Sequence, residues 1–331
     1  MYANLISQSV TNSLEAFKRY RDFVCKRNGS YDYSTTGIGW TLWDSSYATN
    51  ETSVAFGDWF VIYSPGEDGK QDIYFKCTVT SGYLTFQGYQ YWNNSTHAGV
   101  QRYGSTNLTS FTFAAATTST IWIYGDLDFL CCIHKETTVY RMWSGGMMPD
   151  SSYNNAVAIS SSSVSSGTNK NITLDTIPSG WATGVKVFIR DNANCERASI
   201  TNISGNVVTV DSLTASYTAN CKLQLEITYN STTGGSWGST SFLLDHTNTK
   251  DAILSPDPIT GYPACNSDAL SGKVPFVGWY FGISNQIFGP LKNVYKCDIT
   301  NRVAEETLNN GSYTYRFFNI NASMYVAIKE V

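Results

Sequence analysis

In two stretches of this chain side chains alternate with a period of two, as they do in strands with one face buried. Val185, Val187 and Ile189 alternate with Lys186, Phe188 and Arg190, and Leu223, Leu225 and Ile227 with Lys222, Gln224 and Glu226. Trp59 to Tyr63 and Ile73 to Phe75, the latter followed by Cys77 and Val79, are aromatic and β-branched runs around Pro65, Gly66, Asp68 and Gly69. That order predicts a β-hairpin. Ser199 to Val210 (SITNISGNVVTV) predicts a second hairpin around Ser204-Gly205-Asn206. Helical spacing is convincing once, in Leu14, Phe17, Tyr20 or Arg21, and Val24, with Asn12 and Glu15 placed to cap. Lys18, Arg19 and Arg21 are expected on its outer face. It reads as a helix lying across a sheet or, alternatively, as one reaching into a neighbouring subunit.

The first hairpin has an echo 220 positions later: Phe56, Trp59, Ser64, Gly69, Lys76, Cys77 and Thr80 meet Phe276, Trp279, Ser284, Gly289, Lys296, Cys297 and Thr300. Trp59, Cys77, Trp279 and Cys297 are the landmarks of this repeat. A second match, between Tyr124–Glu136 and Phe318–Glu330, runs at an offset of 194. The first copy is therefore longer, with its extra residues in Ser81 to Phe113, read as a loop insertion. Gly145-Gly146 with Pro149 is expected to mark the edge of the first module, and SSSSVSS from Ser160 to Ser166 to be a flexible joint. The expected fold is mainly β: two related β-sandwich-like modules flanking a small inserted β domain, with a short N-terminal helix. The boundaries are 1–150 for the helix and first module, 156–229 for an inserted sandwich or barrel, and 236–331 for a second module related to 56–136.

Composition sharpens this picture. Aromatics make up 14% of the 331 residues and charged side chains only 15%, a balance that favours strands and turns over long helices. The net charge of −4 without a basic run argues against a dedicated nucleic-acid surface. No apolar run is long enough to span a bilayer, and MYANLISQSV lacks the layout of a signal peptide. The eight cysteines are accordingly expected as thiols, and sequons such as Asn94, Asn107, Asn202 and Asn321 as products of a Ser/Thr-rich composition.

Chemistry has few candidates. Phosphate-loop, nucleophile-elbow, zinc-protease and dinucleotide patterns are missing, so neither a catalytic residue nor a metal or cofactor is expected. Cys131 and Cys132 beside His134 form a conceivable nucleophile and base, better explained as sheet positions. Asp126 and Asp128 stand two apart, as a cation site or a glycosidase pair would, or as edge charges. The densest feature is the aromatic set Tyr83, Phe86, Tyr89, Tyr91, Trp92 and Tyr103. These residues fit a surface that stacks on sugars or on another protein, and equally an extra hairpin packed on the sheet.

Taken together, WFVIYSPGEDGKQDIYFKCTV, YWNNSTHAG, IWIYGDLDFLCCIHKE, WATGVKVFIRD, ASITNISGNVVTVDSL and SYTYRFFNINASMYVAIKEV resemble the β-rich structural proteins of tailed-bacteriophage virions, in tails, necks and baseplates. The resemblance covers most of the chain in style and carries no catalytic residues. It implies a non-enzymatic, multi-copy component of a virion, assembled in the bacterial cytoplasm, whose partners are its own copies and other virion proteins. The alternative it leaves open is a receptor- or glycan-binding tail-tip protein, which would use the aromatic stretch 83–103 on a host surface glycan.

Overall fold

The structure, a computed structural model, describes residues 2–47, 53–67, 69, 71–89, 91–100, 108–112, 118–149, 157–178, 181–191, 193–233, 242–243, 277–283, 286–297, 303–309, 313–320 and 324–330. The chain is mainly β. In order come β1 (Ala3–Val10), helix α1 (Ser13–Val24), β2 (Thr41–Ser45), β3 (Trp59–Ser64), β4 (Ile73–Val79), β5 (Tyr83–Tyr89), β6 (Tyr91–Asn93), β7 (Ala98–Val100), β8 (Leu108–Thr112), β9 (Ser119–Gly125), β10 (Phe129–Glu136) and β11 (Val139–Pro149). Next are β12 (Val157–Ile159), β13 (Gly167–Thr173), β14 (Lys186–Arg190), β15 (Cys195–Ser204), β16 (Val207–Leu213) and β17 (Lys222–Thr233). The C-terminal strands are β18 (Phe242–Leu243), β19 (Val277–Ile283), β20 (Gln286–Cys297), β21 (Thr307–Asn309), β22 (Thr314–Ile320) and β23 (Met324–Glu330).

The organising layer is the antiparallel set β1-β9-β10-β11, because both of its faces are covered. Ile121, Ile123, Leu130, Cys132 and Trp143 look towards α1 and the five-stranded sheet β2-β3-β4-β5-β8. Trp122, Tyr124, Phe129, Cys131, Ile133, Tyr140 and Met142 look the other way, onto Val294, Phe318, Ile320, Val326 and Ile328 of the C-terminal strands. A strand buried on both faces needs an unbroken apolar run rather than alternation, which is what IWIY and FLCCI supply. The first module is thus a sandwich with a helix in its core, and the C-terminal sheet closes its second side.

Helix α1 starts as expected: the Asn12 carboxamide oxygen accepts from the Glu15 amide at 2.9 Å, and Glu15 reaches back to the Thr11 amide at 2.8 Å. Ala16, Phe17, Tyr20, Phe23 and Val24 are buried in the chain's own core, so the helix lies across a sheet. Arg21 departs from the expected basic outer face. It is fully buried, pairing with the equally buried Asp22 at 2.8 Å and donating to the Tyr47 hydroxyl. Strand β1, which the sequence reading passed over, pairs with β9.

The inserted domain leaves on β11 and returns on β17. These two strands pair antiparallel from Met142 opposite Thr233 to Pro149 opposite Glu226; β11 is also paired with β10 as far as Gly146, so β17 extends the central layer before the chain enters the domain. Beyond it, β12 to β17 enclose a separate core from Ala158 to Leu225. The alternating residues fall where expected, with Val185, Val187, Ile189, Leu223 and Leu225 inside, and the β15–β16 turn has Gly205 at φ 57°. One sequence expectation fails at its root. Ser160 to Ser166 is built into the domain: Ser160 is buried beside Cys221, and Val164 exchanges backbone hydrogen bonds with Tyr217. Its backbone thus has partners that a solvated linker lacks. Gly145 and Gly146 lie inside β11, and a Cβ on Gly145 would come within 2.6 Å of the Phe75 ring. Glycine there permits close approach of two layers, at the point where the pairing of β11 with β10 ends.

The repeat is visible as hairpins, but not as equivalent ones. In the first, Ser64 faces Ile73 around an eight-residue connection, 65–72; in the second, Ile283 faces Gln286. Cys77 stands between Phe60 and Phe86 in the five-stranded sheet, whereas Cys297 pairs with Tyr325 in the C-terminal sheet. Trp279 lies in β19 where the register shifts between Gly278 and Tyr280. The second match is closer. Hairpins β9–β10 and β22–β23 differ by one residue in pairing and pack face to face, with Phe318 against Trp122 at 5.2 Å. Ser81 to Phe113 is more than a loop insertion, because β5 is an interior strand of the five-stranded sheet.

Candidate functional site

The five-stranded sheet has an inner face in the core and an outer face of its own character. Alternation sends Phe60, Ile62, Phe75, Cys77, Leu84 and Phe86 inwards. It sends Trp59, Val61 and Tyr63 of β3, Tyr74 and Lys76 of β4, and Gln87 and Tyr89 of β5 outwards, in cross-strand rows such as Tyr63–Tyr74–Tyr89. The short hairpin β6–β7 folds over one end of this face. Its Trp92 packs edge-on against Trp59 at 5.7 Å and Tyr89 at 4.9 Å.

Polar groups hold the hairpin there. Asp44 accepts from the Trp92 indole N–H at 2.7 Å and lies 2.9 Å from His97 Nδ1, while Asn94 donates to the Trp43 carbonyl. Lys76 sits with its Nζ 4.5 Å above the Trp59 ring and 5.5 Å from that of Trp92. Burial pushes the Lys76 ammonium down, with Asp44 acting the other way. Burial likewise raises the Tyr89 phenol to about 12. At the far end Tyr63 donates to Asp72, which Lys186 of the inserted domain pairs at 3.2 Å. Burial nevertheless pushes Asp72 up. The surface therefore offers aromatic rings, hydroxyls and one partly desolvated cation.

The aromatic set from the sequence divides in three. Phe86 belongs to the interior, stacked on Trp143 at 4.2 Å. Tyr89 and Trp92 are buried in the outer cluster, and Tyr83 and Tyr91 are exposed, at 42% and 38%. Tyr103 lies outside the described residues. Trp43, Trp59, Tyr63, Tyr74 and Lys76 share the face and were missed as a group. The signal for the last four was the odd positions of WFVIY and the even positions of IYFK, read as one side of a sheet.

The other sequence candidates have structural partners. Lys292 of β20 bridges Asp126 at 2.7 Å and Asp128 at 2.8 Å, and Asp128 also accepts from the Glu67 amide and the Gln71 side chain. The pair ties the β9–β10 turn to the β3–β4 connection and the C-terminal sheet. Cys131 and Cys132 lie on opposite faces of β10, and burial raises both thiols. His134 is fully buried on the Cys132 side of that strand. Cys25, Cys77, Cys131, Cys132 and Cys221 are free thiols. No helix among the described residues is long and apolar enough to cross a membrane. The chain matches no protein-family model and no curated protein.

Proposed function

We propose that this chain is a non-enzymatic building block of a symmetric multi-copy assembly and, following its resemblance to virion proteins, a component of a tailed-phage tail, neck or baseplate. The observation that carries this reading is the cross-bracing of layers far apart in sequence. One sheet is buried on both faces, an inserted domain is joined to it through the continuous strands β11 and β17, and charged ties such as Asp126/Asp128–Lys292 and Lys186–Asp72 span the units. Such a body keeps its shape under load and presents sheet edges and exposed rings in fixed positions. Closed symmetry then multiplies contacts that are individually weak.

Packing of Phe86, Tyr89 and Trp92 favours this over recognition of a glycan by stretch 83–103, since among the described residues of that set it leaves Tyr83 and Tyr91 as the exposed rings. Light scattering on the purified chain, followed by negative-stain imaging, tests the proposal: rings, tubes or a closed oligomer are expected. A monomer at the highest soluble concentration that also fails to join other virion proteins refutes it. Loss of host adsorption by intact particles carrying Tyr91→Ala would move the reading to the tail-tip alternative.

A further inference from the structure

The inserted domain carries a feature that the assembly reading does not use. On the outer face of its β14–β17 pair, Arg190 stands directly opposite Lys222, and both side chains are exposed. Like charges facing each other across neighbouring strands repel. The other cations on this face have company: Lys186 pairs with Asp72, and the Arg197 guanidinium lies 5.4 Å from the Phe188 ring centroid. Among the described residues the Arg190 and Lys222 side chains make no hydrogen bond or ion pair. Both line an open cavity of about 440 Å³ with Asp191, Thr218, Ala219 and Asn220.

Asp191, the acid in the cavity lining, keeps its charge, but its oxygens are taken up by neighbouring donors instead of pairing with either cation. One of its oxygens accepts from the Ala193 and Asn194 amides at 2.9 and 2.8 Å, the other from the Thr218 amide and hydroxyl at 2.9 and 3.3 Å. It shapes the cavity wall and leaves the two cations facing the opening. The rim is rigid as well: Asn220 holds φ at 66°, with its amide bonded to the Ser160 carbonyl. A planar guanidinium beside an ammonium suits a compact oxyanion held at two points. The Asn220 and Thr218 side chains add polar groups suited to hydroxyls, and the volume falls within the range of small-ligand sites.

We propose that this cavity binds a compact oxyanion, a carboxylate, sulfate or phosphate, either free or carried on a small polyhydroxylated molecule such as an acidic sugar. Arg190 and Lys222 hold the charge; Thr218 and Asn220 meet the remainder. The site is independent of whether the chain assembles.

Calorimetric titration of the full chain with glucuronate, inorganic phosphate and uncharged glucose tests it. One saturable site is expected for glucuronate, phosphate or both, weakening as salt is added, and none for glucose. Glucuronate alone identifies a sugar acid as the ligand class, and phosphate alone a free oxyanion. Arg190→Gln and Lys222→Gln should each weaken binding at least tenfold. Without ligand, the melting midpoint of Lys222→Gln should equal or exceed that of the parent, which separates lost binding from lost folding. The proposal is overturned if neither anion binds, if glucose binds as well as glucuronate, or if binding survives both substitutions.

Discussion

Phe86→Ala probes how the aromatic stretch is used. Phe86 is fully buried, stacked on Trp143 with ring centroids 4.2 Å apart and planes at 24°, and edge-on to Tyr20 at 5.1 Å. Trp143 in turn touches Phe75 and Tyr20, so one ring joins α1, β4, β5 and β11. Truncating a buried phenylalanine to alanine costs about 3–5 kcal/mol. Loss of two aromatic pairs places this site near the middle of that range or above it, about 4 kcal/mol. That corresponds to roughly a thousandfold rise in opening of the first module, against a typical total stability of about 5–15 kcal/mol. Hydrogen exchange read by mass spectrometry suits the measurement, because the inserted domain has its own core and gives an internal control. Peptides from β3 to β5 should lose about 4 kcal/mol of protection, while those spanning 186–213 stay unchanged. Tyr83→Ala, at an exposed position of the same strand, should cost no more than about 0.5 kcal/mol. A loss below about 1 kcal/mol for Phe86→Ala, or an equal loss for Tyr83→Ala, would refute the packing described for this stretch.

Other expectations can be checked in the same preparations. Gly145→Ala forces a methyl to within 2.6 Å of the Phe75 ring and should destabilise the first module by about 1–3 kcal/mol in urea melts. Asp22→Ala strands the fully buried Arg21 guanidinium and should cost about 3–5 kcal/mol, visible as a lower melting midpoint. For Asp128, burial acts upwards, but hydrogen bonds from Lys292 and the Glu67 amide hold the carboxyl below its ordinary value of 3.8. Its contribution is therefore complete above that value and lost as pH falls through the lower folded value. Asp128→Asn should be less stable than the parent by about 1 kcal/mol at neutral pH, and the gap should close in acid. An unchanged gap at low pH would refute that role. Lys222→Gln should raise stability by about 0.2–1 kcal/mol without ligand, by relieving the Arg190–Lys222 repulsion.

What the sequence determined was local. Period-two alternation located β14 and the start of β17 and their buried faces, and the Asn12/Glu15 cap placed α1, because strand pleat and helix capping act within a few residues. The turn at Gly205 was legible for the same reason. Alternation reports only that a face is covered, not by what. The tertiary structure decided that β9 and β10 are buried on both sides, that Phe86 faces inwards while Tyr83 faces out, and that Gly145 lies between layers. It also decided what converges. Lys292 reaches Asp126 and Asp128 across more than 160 positions, and Arg190 meets Lys222 across a strand pair. No window along the chain contains such neighbours, since they exist only once register and sheet order are set.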